Sequence, residues 1–187
     1  MRLKPEESSK LAKHLTEKIF ADPVNTFKVS RGDIERAIEA SLKRHFDEEA
    51  KLEKDSEALL IQKSDEFQGL QRQKALSMIR KQLAEERNFV LSGGVQGRFS
   101  EDKISHMSHL VADKLFDDDL MDFADEDEGA KFVKRVFTAY FKAEDDVAEK
   151  ARKKISSQAA PPLEGSPEWE VLFRKYKEEE LRKINHS

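Results

Sequence analysis

Apolar residues of this chain recur at an offset of about 95 positions, and that internal repetition limits the possible folds more than any other feature. Leu3, Leu11, Leu15, Ile19 and Phe20 return 96 positions later as Phe99, Met107, Val111, Leu115 and Phe116. One deletion later the offset is 95, and Ile38, Leu42, Phe46, Leu52 and Leu60 match Val133, Phe137, Phe141, Val147 and Ile155. Met78-Ile79-Arg80-Lys81 then matches Leu172-Phe173-Arg174-Lys175 at 94. The pattern predicts an all-α chain built by tandem duplication of a three-helix unit. The first repeat spans 1–87, a Gly-rich junction 88–99, and the second repeat 100–187.

With 39% charged residues, the chain would stay unfolded if its apolar residues were scattered. They fall instead at helical spacing, and a chain of 187 residues is long enough for one substantial core or two smaller ones. Only 7 glycines and 5 prolines occur, with Gly93, Gly94 and Gly97 gathered between the repeats. Long uninterrupted helices follow.

The formal charge of −4 provides no global positive field to collect nucleic acid or anionic lipid. Residues 1–96 hold 18 basic and 17 acidic groups, the remainder 16 and 21. The absence of cysteine excludes disulfides, thiolate metal sites and cysteine nucleophiles. The N-terminus lacks the apolar core of a signal peptide, and no run approaches the ~20 apolar residues needed to span a bilayer. A cytoplasmic location without membrane contact is the expectation.

The first helix is expected to start near Pro5, whose missing N–H costs nothing in a first turn, and to end at Asp22-Pro23. Ser30 and Ser100 are expected caps, with Asp33 at the positive end of its helix dipole. In the second helix, Ile34, Ile38, Leu42 and Phe46 step by four, but the next apolar residue is Leu52. That jump turns the stripe by about 120° at ~100° per residue. Phe141 and Val147 repeat it. Since neither gap contains Gly or Pro, the favoured reading is a continuous rod of about 30 residues, some 45 Å long, rather than a bend near Glu48 and Glu144. In the last helix, Ser166 caps, Pro167 begins, and Trp169, Leu172, Phe173 and Tyr176 form one buried face. Leu70, Ile79 and Leu83 mark the third helix of the first repeat without a comparable cap. The junction, Phe89 to Leu91 and Val95 to Phe99, admits a short hairpin or an extended linker.

Four patterns invite chemistry. His106, His109 and Asp113 share one side of a helical wheel at i, i+3 and i+7, a spacing that can place metal donors together. No further ligand is nominated, so the residues are read as lying on a solvated side or in a second interhelical contact, with no metal or other cofactor expected. The acidic run from Asp117 to Glu128 suggests calcium, but placing Gly129 at the sixth position of an EF-hand puts Ala124 first and Arg135 twelfth, which fails. The acids are read as belonging to helix ends and a linker. Lys150, Arg152, Lys153 and Lys154, with Arg174, Lys175, Lys177, Arg182 and Lys183, form two basic clusters that could meet phosphate. Acid-before-base pairs such as Asp146 with Lys150 and Glu149 with Lys153 favour a solvated helical face instead. Trp169, the single tryptophan, reads as core, the alternative being an exposed anchor for a partner. No G-x-S-x-G, P-loop or dinucleotide fingerprint occurs.

The run Ser100-Glu101-Asp102-Lys103-Ile104-Ser105-His106-Met107-Ser108-His109-Leu110 resembles a bacterial family of unknown function, number 507. So do Glu164-Gly165-Ser166-Pro167-Glu168-Trp169, Phe173-Arg174-Lys175-Tyr176 and Glu179-Glu180-Leu181-Arg182-Lys183. The resemblance spans the chain and implies a bacterial cytoplasmic helical protein. It carries over no activity, cofactor or catalytic residue.

The resulting expectation is a non-catalytic interaction or scaffold module that contacts an unknown protein or a second copy of itself. Trp169, Arg174, Lys175, Lys150 and Lys153 are its candidate contact residues. A nucleic-acid-associated role through the clustered Lys and Arg is second, and a metal-dependent enzyme using His106 and His109 third.

Overall fold

The computed structural model describes residues 5–92, 99–123 and 126–185. In chain order these form α1 (Pro5–Ala21), β1 (Thr26–Phe27), α2 (Arg31–Gln62), a 3-10 turn (Ser64–Phe67), α3 (Arg72–Glu86), α4 (Glu101–Asp117), β2 (Met121–Asp122), α5 (Glu126–Ser156) and α6 (Pro167–Asn185). The all-α expectation holds apart from one two-stranded ribbon. Its strands are only 2 residues each, too short for any alternation to announce them.

Helix starts follow local chemistry. At α2 the Ser30 hydroxyl accepts from the Asp33 N–H while the Asp33 carboxylate accepts from the Ser30 N–H, a reciprocal capping box. Ser100 accepts from the Lys103 N–H at α4, and Ser166 from the Trp169 N–H at α6. α3 starts after Gln71 with no side-chain cap, consistent with the weak start signal there. α2 runs unbroken for 32 residues and α5 for 31, as the rod reading required.

Contacts gather the chain into two compact units, Met1–Phe137 and Thr138–Ser187, a division separate from that of the sequence into repeats. In the first unit α2 is central, with α1, α3 and α4 all packed against it. Leu11, Leu15, Ile19, Ile34, Ile38, Met107, Val111 and Leu115 are fully enclosed. Their burial supplies most of the driving force, roughly 1.5–3 kcal/mol per large aliphatic side chain. Leu52, Ile79, Leu83 and Ala84 form a cluster between α2 and α3, over which Phe89 and Leu91 pack. β1 meets β2 antiparallel, Thr26 opposite Asp122 and Phe27 opposite Met121.

Gly129 lies in the first turns of α5, and a Cβ there would come within 2.6 Å of the Phe123 ring. This glycine therefore makes room for an aromatic ring. Lys28 binds both Asp119 and Asp122, which assigns two members of the acidic run to an ion-pair network beside the ribbon.

In the second unit Ala151 and Ile155 of α5 pack with Trp169 and Phe173 of α6. The rings of Trp169 and Phe173 stack at 4.7 Å, 10° from parallel. Trp169 is 8% exposed: it is a core residue, and the exposed-anchor alternative falls.

Residues 89–92 carry no regular secondary structure and belong to no strand. The hairpin alternative for the junction otherwise falls on 93–98, outside the described residues.

Candidate functional site

The gap in the apolar stripe of α2 is filled by polar side chains. His45 and Glu49 sit between Leu42 and Leu52, and the buried series continues as Glu53 and Ser56. Counted with these residues, the helical period never breaks. α4 carries the matching anomaly: Lys103 sits four residues before Met107, on the same stripe as Val111 and Leu115, and is completely buried.

These residues meet. The Lys103 ammonium donates to Glu49 Oε2 at 3.0 Å and to the Val90 carbonyl at 2.6 Å. It also lies 4.5 Å from the centroid of the Phe89 ring. Its three N–H donors thus have two oxygens and an aromatic face. Glu49 in turn accepts from the Ser92 N–H at 2.7 Å and from the Ser92 hydroxyl at 2.8 Å. One ion pair therefore ties α2, α4 and the irregular stretch 89–92 together.

Burial alone would raise the Glu49 carboxyl, but the Lys103 cation and the two Ser92 donors outweigh it and hold the group below the ordinary carboxylate range. Burial lowers Lys103, and Glu49 opposes that only in part. The two tendencies conflict over how firmly the ammonium keeps its proton. The ionised pair is the state in which every polar atom has a partner, and on that ground the geometry favours it.

Beside this pair lies His45, only 3% exposed. Its ring stacks on Phe89 at 4.8 Å, meets Phe46 edge-on at 5.8 Å and faces His106 at 5.1 Å. Its Nε2 is buried without a hydrogen-bond partner. Burial, then the Lys103 cation, then His106 push its pKa down to about 3, with Glu49 opposing. His45 is therefore neutral at physiological pH. His106 is lowered as well, by burial first, then Lys103 and His109, against Glu48.

Of the metal candidates, His106 turns toward His45 in an interhelical contact, whereas His109 and Asp113 are exposed. Among the described residues no three His, Asp or Glu side chains are placed to hold one ion. Five of the nine residues in the basic clusters form ion pairs. Lys153 pairs with Glu149, Lys154 with Glu179 and Glu180, Lys177 with Glu144, Lys183 with Glu180, and Arg152 with Glu164. Lys150, Arg174, Lys175 and Arg182 are exposed; Lys175 lies 6.0 Å from the Tyr176 ring.

Sequence reasoning missed Lys103, Glu49 and His45, although a signal existed. A lysine at the third position of α4 opposes the helix dipole and stands on an apolar stripe; each oddity predicts a buried acidic partner.

These features define a mostly helical protein whose first unit is arranged on one long helix around a closed ion-pair centre, and whose second unit carries ion-paired helical faces. No helix among the described residues is long and apolar enough to cross a membrane. The chain belongs to the family described as Protein of unknown function (DUF507), whose model matches residues 1–184. Compared with curated proteins, the chain finds no match.

Proposed function

We propose that this is a non-catalytic, cytoplasmic interaction or scaffold module of bacterial origin, which engages a protein partner or a second copy of itself through the charged faces of its long helices. The supporting observation is the mixed-sign ladder on α5 and α6, where Lys154, Lys177 and Lys183 each meet a glutamate. A surface of alternating sign suits a partner of complementary pattern, whereas a polyanion requires uncompensated cations. The ion pair of Lys103 and Glu49 is spent on internal partners, which favours an architectural role for it.

The same reading includes a duplicated ancestor, with repeats at 1–87 and 100–187 joined by 88–99. Three relationships support it. α1 and α4 both have 17 residues. Glu49 and Glu144, 95 positions apart, each occupy the gap in their apolar stripe and each meet a lysine, Lys103 and Lys177. Shifting Thr26 and Phe27 by 95 gives Met121 and Asp122, so the pairing of Thr26 with Asp122 and Phe27 with Met121 is its own mirror, as a two-fold relationship demands. An experimental structure in which α1 and α2 do not superpose on α4 and α5 would end this part of the reading.

Crosslinking in native lysate followed by affinity capture, together with sedimentation of the pure protein, tests the interaction. One recurrent partner, or a concentration-dependent dimer, is expected. Neither appearing would overturn it. Binding to duplex or single-stranded nucleic acid that weakens steeply with salt would favour the nucleic-acid reading, through Lys150, Arg174 and Lys175.

A further inference from the structure

Residues 89–92 act as a strap. Phe89 and Leu91 lie over the cluster of Leu52, Ile79, Leu83 and Ala84, so lifting the strap would uncover an apolar groove between α2 and α3. The strap is held by its ends and middle: the Phe89 N–H donates to the Ala84 carbonyl, the Val90 carbonyl accepts from Lys103, and Ser92 donates twice to Glu49. Its inner face rests on the His45 ring.

A buried imidazole nitrogen with no partner normally costs stability and is replaced by an apolar group unless it has a use. The groups that face His45 make its charge state consequential. Lys103 and His106 come from α4 and Glu49 from its own helix, while the strap supplies Phe89 and no titratable group; Lys81 and Glu85 of α3 line a surface pocket with Phe89, Val90 and Leu91. One carboxylate serves this enclosure. A second cation placed beside the Lys103 ammonium has nothing left to pair with.

We propose that His45 makes the strap acid-releasable: its protonation expels residues 89–92 from the ion-pair centre and bares the apolar groove while the helices of the first unit remain folded. In the released state the ring is wet and titrates near 6.5, against about 3 when enclosed. Linkage then multiplies the opening constant by about eightfold at about pH 5.5 and about twenty-five-fold at about pH 5, relative to pH 7. Local opening of this kind falls within the normal range of sub-global fluctuations.

Amide exchange by mass spectrometry on the full chain, corrected for the intrinsic pH dependence, tests the proposal. Peptides over 89–92 are expected to lose protection by those factors while α1 and α4 keep theirs, with a parallel rise in binding of an apolar dye. His45→Phe and His45→Gln, neither of which can take up the proton, should both abolish the response; the second variant covers the case in which the larger ring prevents folding. His14 on α1 is also lowered by burial and then by Lys18, with Glu17 opposing, so His14→Gln is the control and should leave the response intact. Glu49→Gln should loosen the same peptides at neutral pH. Loss of protection that spreads over α1, α4 and the strap together would overturn the proposal, as would a response that survives in both His45 variants.

Discussion

The ammonium of Lys103 and the carboxylate of Glu49 lie 3.0 Å apart, with the lysine side chain wholly enclosed and the glutamate 13% exposed. Such a pair is costly to create and costlier to halve, because the survivor stays buried without its counter-ion.

Lys103→Met is therefore expected to destabilise the first unit by about 3–5 kcal/mol, since it strands Glu49 and frees the Val90 carbonyl. The double variant Lys103→Met, Glu49→Leu should recover much of that loss. Denaturant unfolding followed by circular dichroism measures both, and a single variant within about 1 kcal/mol of the parent would show the pair to be effectively solvated.

Gly129→Ala puts a methyl group where the Phe123 ring stands, 2.6 Å away at its nearest atom. A cost of about 1–3 kcal/mol is expected from overpacking, read as a lowered melting temperature. Adding Phe123→Leu should relieve it. An unaffected melt would mean that the ring moves aside freely.

Stability should fall on acidification before any carboxylate titrates. His45 is depressed from 6.5 to about 3 when folded, so the unfolded chain takes up the proton first, and the stabilisation is present above pH 6.5 and lost as pH falls toward 3. His106 and His14 act in the same direction. The Glu49 contribution is present above the unfolded value of 4.5 and is lost below it. Between pH 6.5 and 4.5 the histidines set the slope, His45 contributing up to about 1.4 kcal/mol per pH unit. Replacing His45 with Phe should flatten that limb; a slope unchanged by the replacement would remove His45 from this role.

Trp169→Ala removes half of the stack with Phe173 and opens the space against Ala151 and Ile155. A loss of about 3–5 kcal/mol is expected for the second unit, visible as reduced helicity. Trp169→Phe should cost far less, as it keeps a ring in place. Equal losses in both would point to the indole N–H in place of packing.

Much of the architecture could be read from residue type and spacing. Leu11, Leu15 and Ile19, or Trp169 and Phe173, declare a buried face because apolar side chains at helical intervals have one economical destination. Ser30 with Asp33, and Ser166 before Pro167, mark helix starts through hydrogen bonds that local sequence alone can satisfy. The centre built on Lys103 was harder. Its partners lie 54 and 13 residues away in the chain, and a stripe traced only through apolar residues passes over His45 and Glu49 and finds a gap. The ribbon was invisible for a related reason: Thr26 and Phe27 become a strand only because Met121 and Asp122 arrive beside them.

That arrival has a consequence for biogenesis. At about 5–20 residues per second, a ribosome needs about 5–20 s after emitting Phe27 to deliver Met121. Throughout that interval the ribbon stays unmatched, and the carboxylate of Glu49, once made, lacks the lysine that neutralises it until Lys103 follows 54 residues later. The ribbon and the ion pair of the first unit close only when α4 and the turn beyond it emerge.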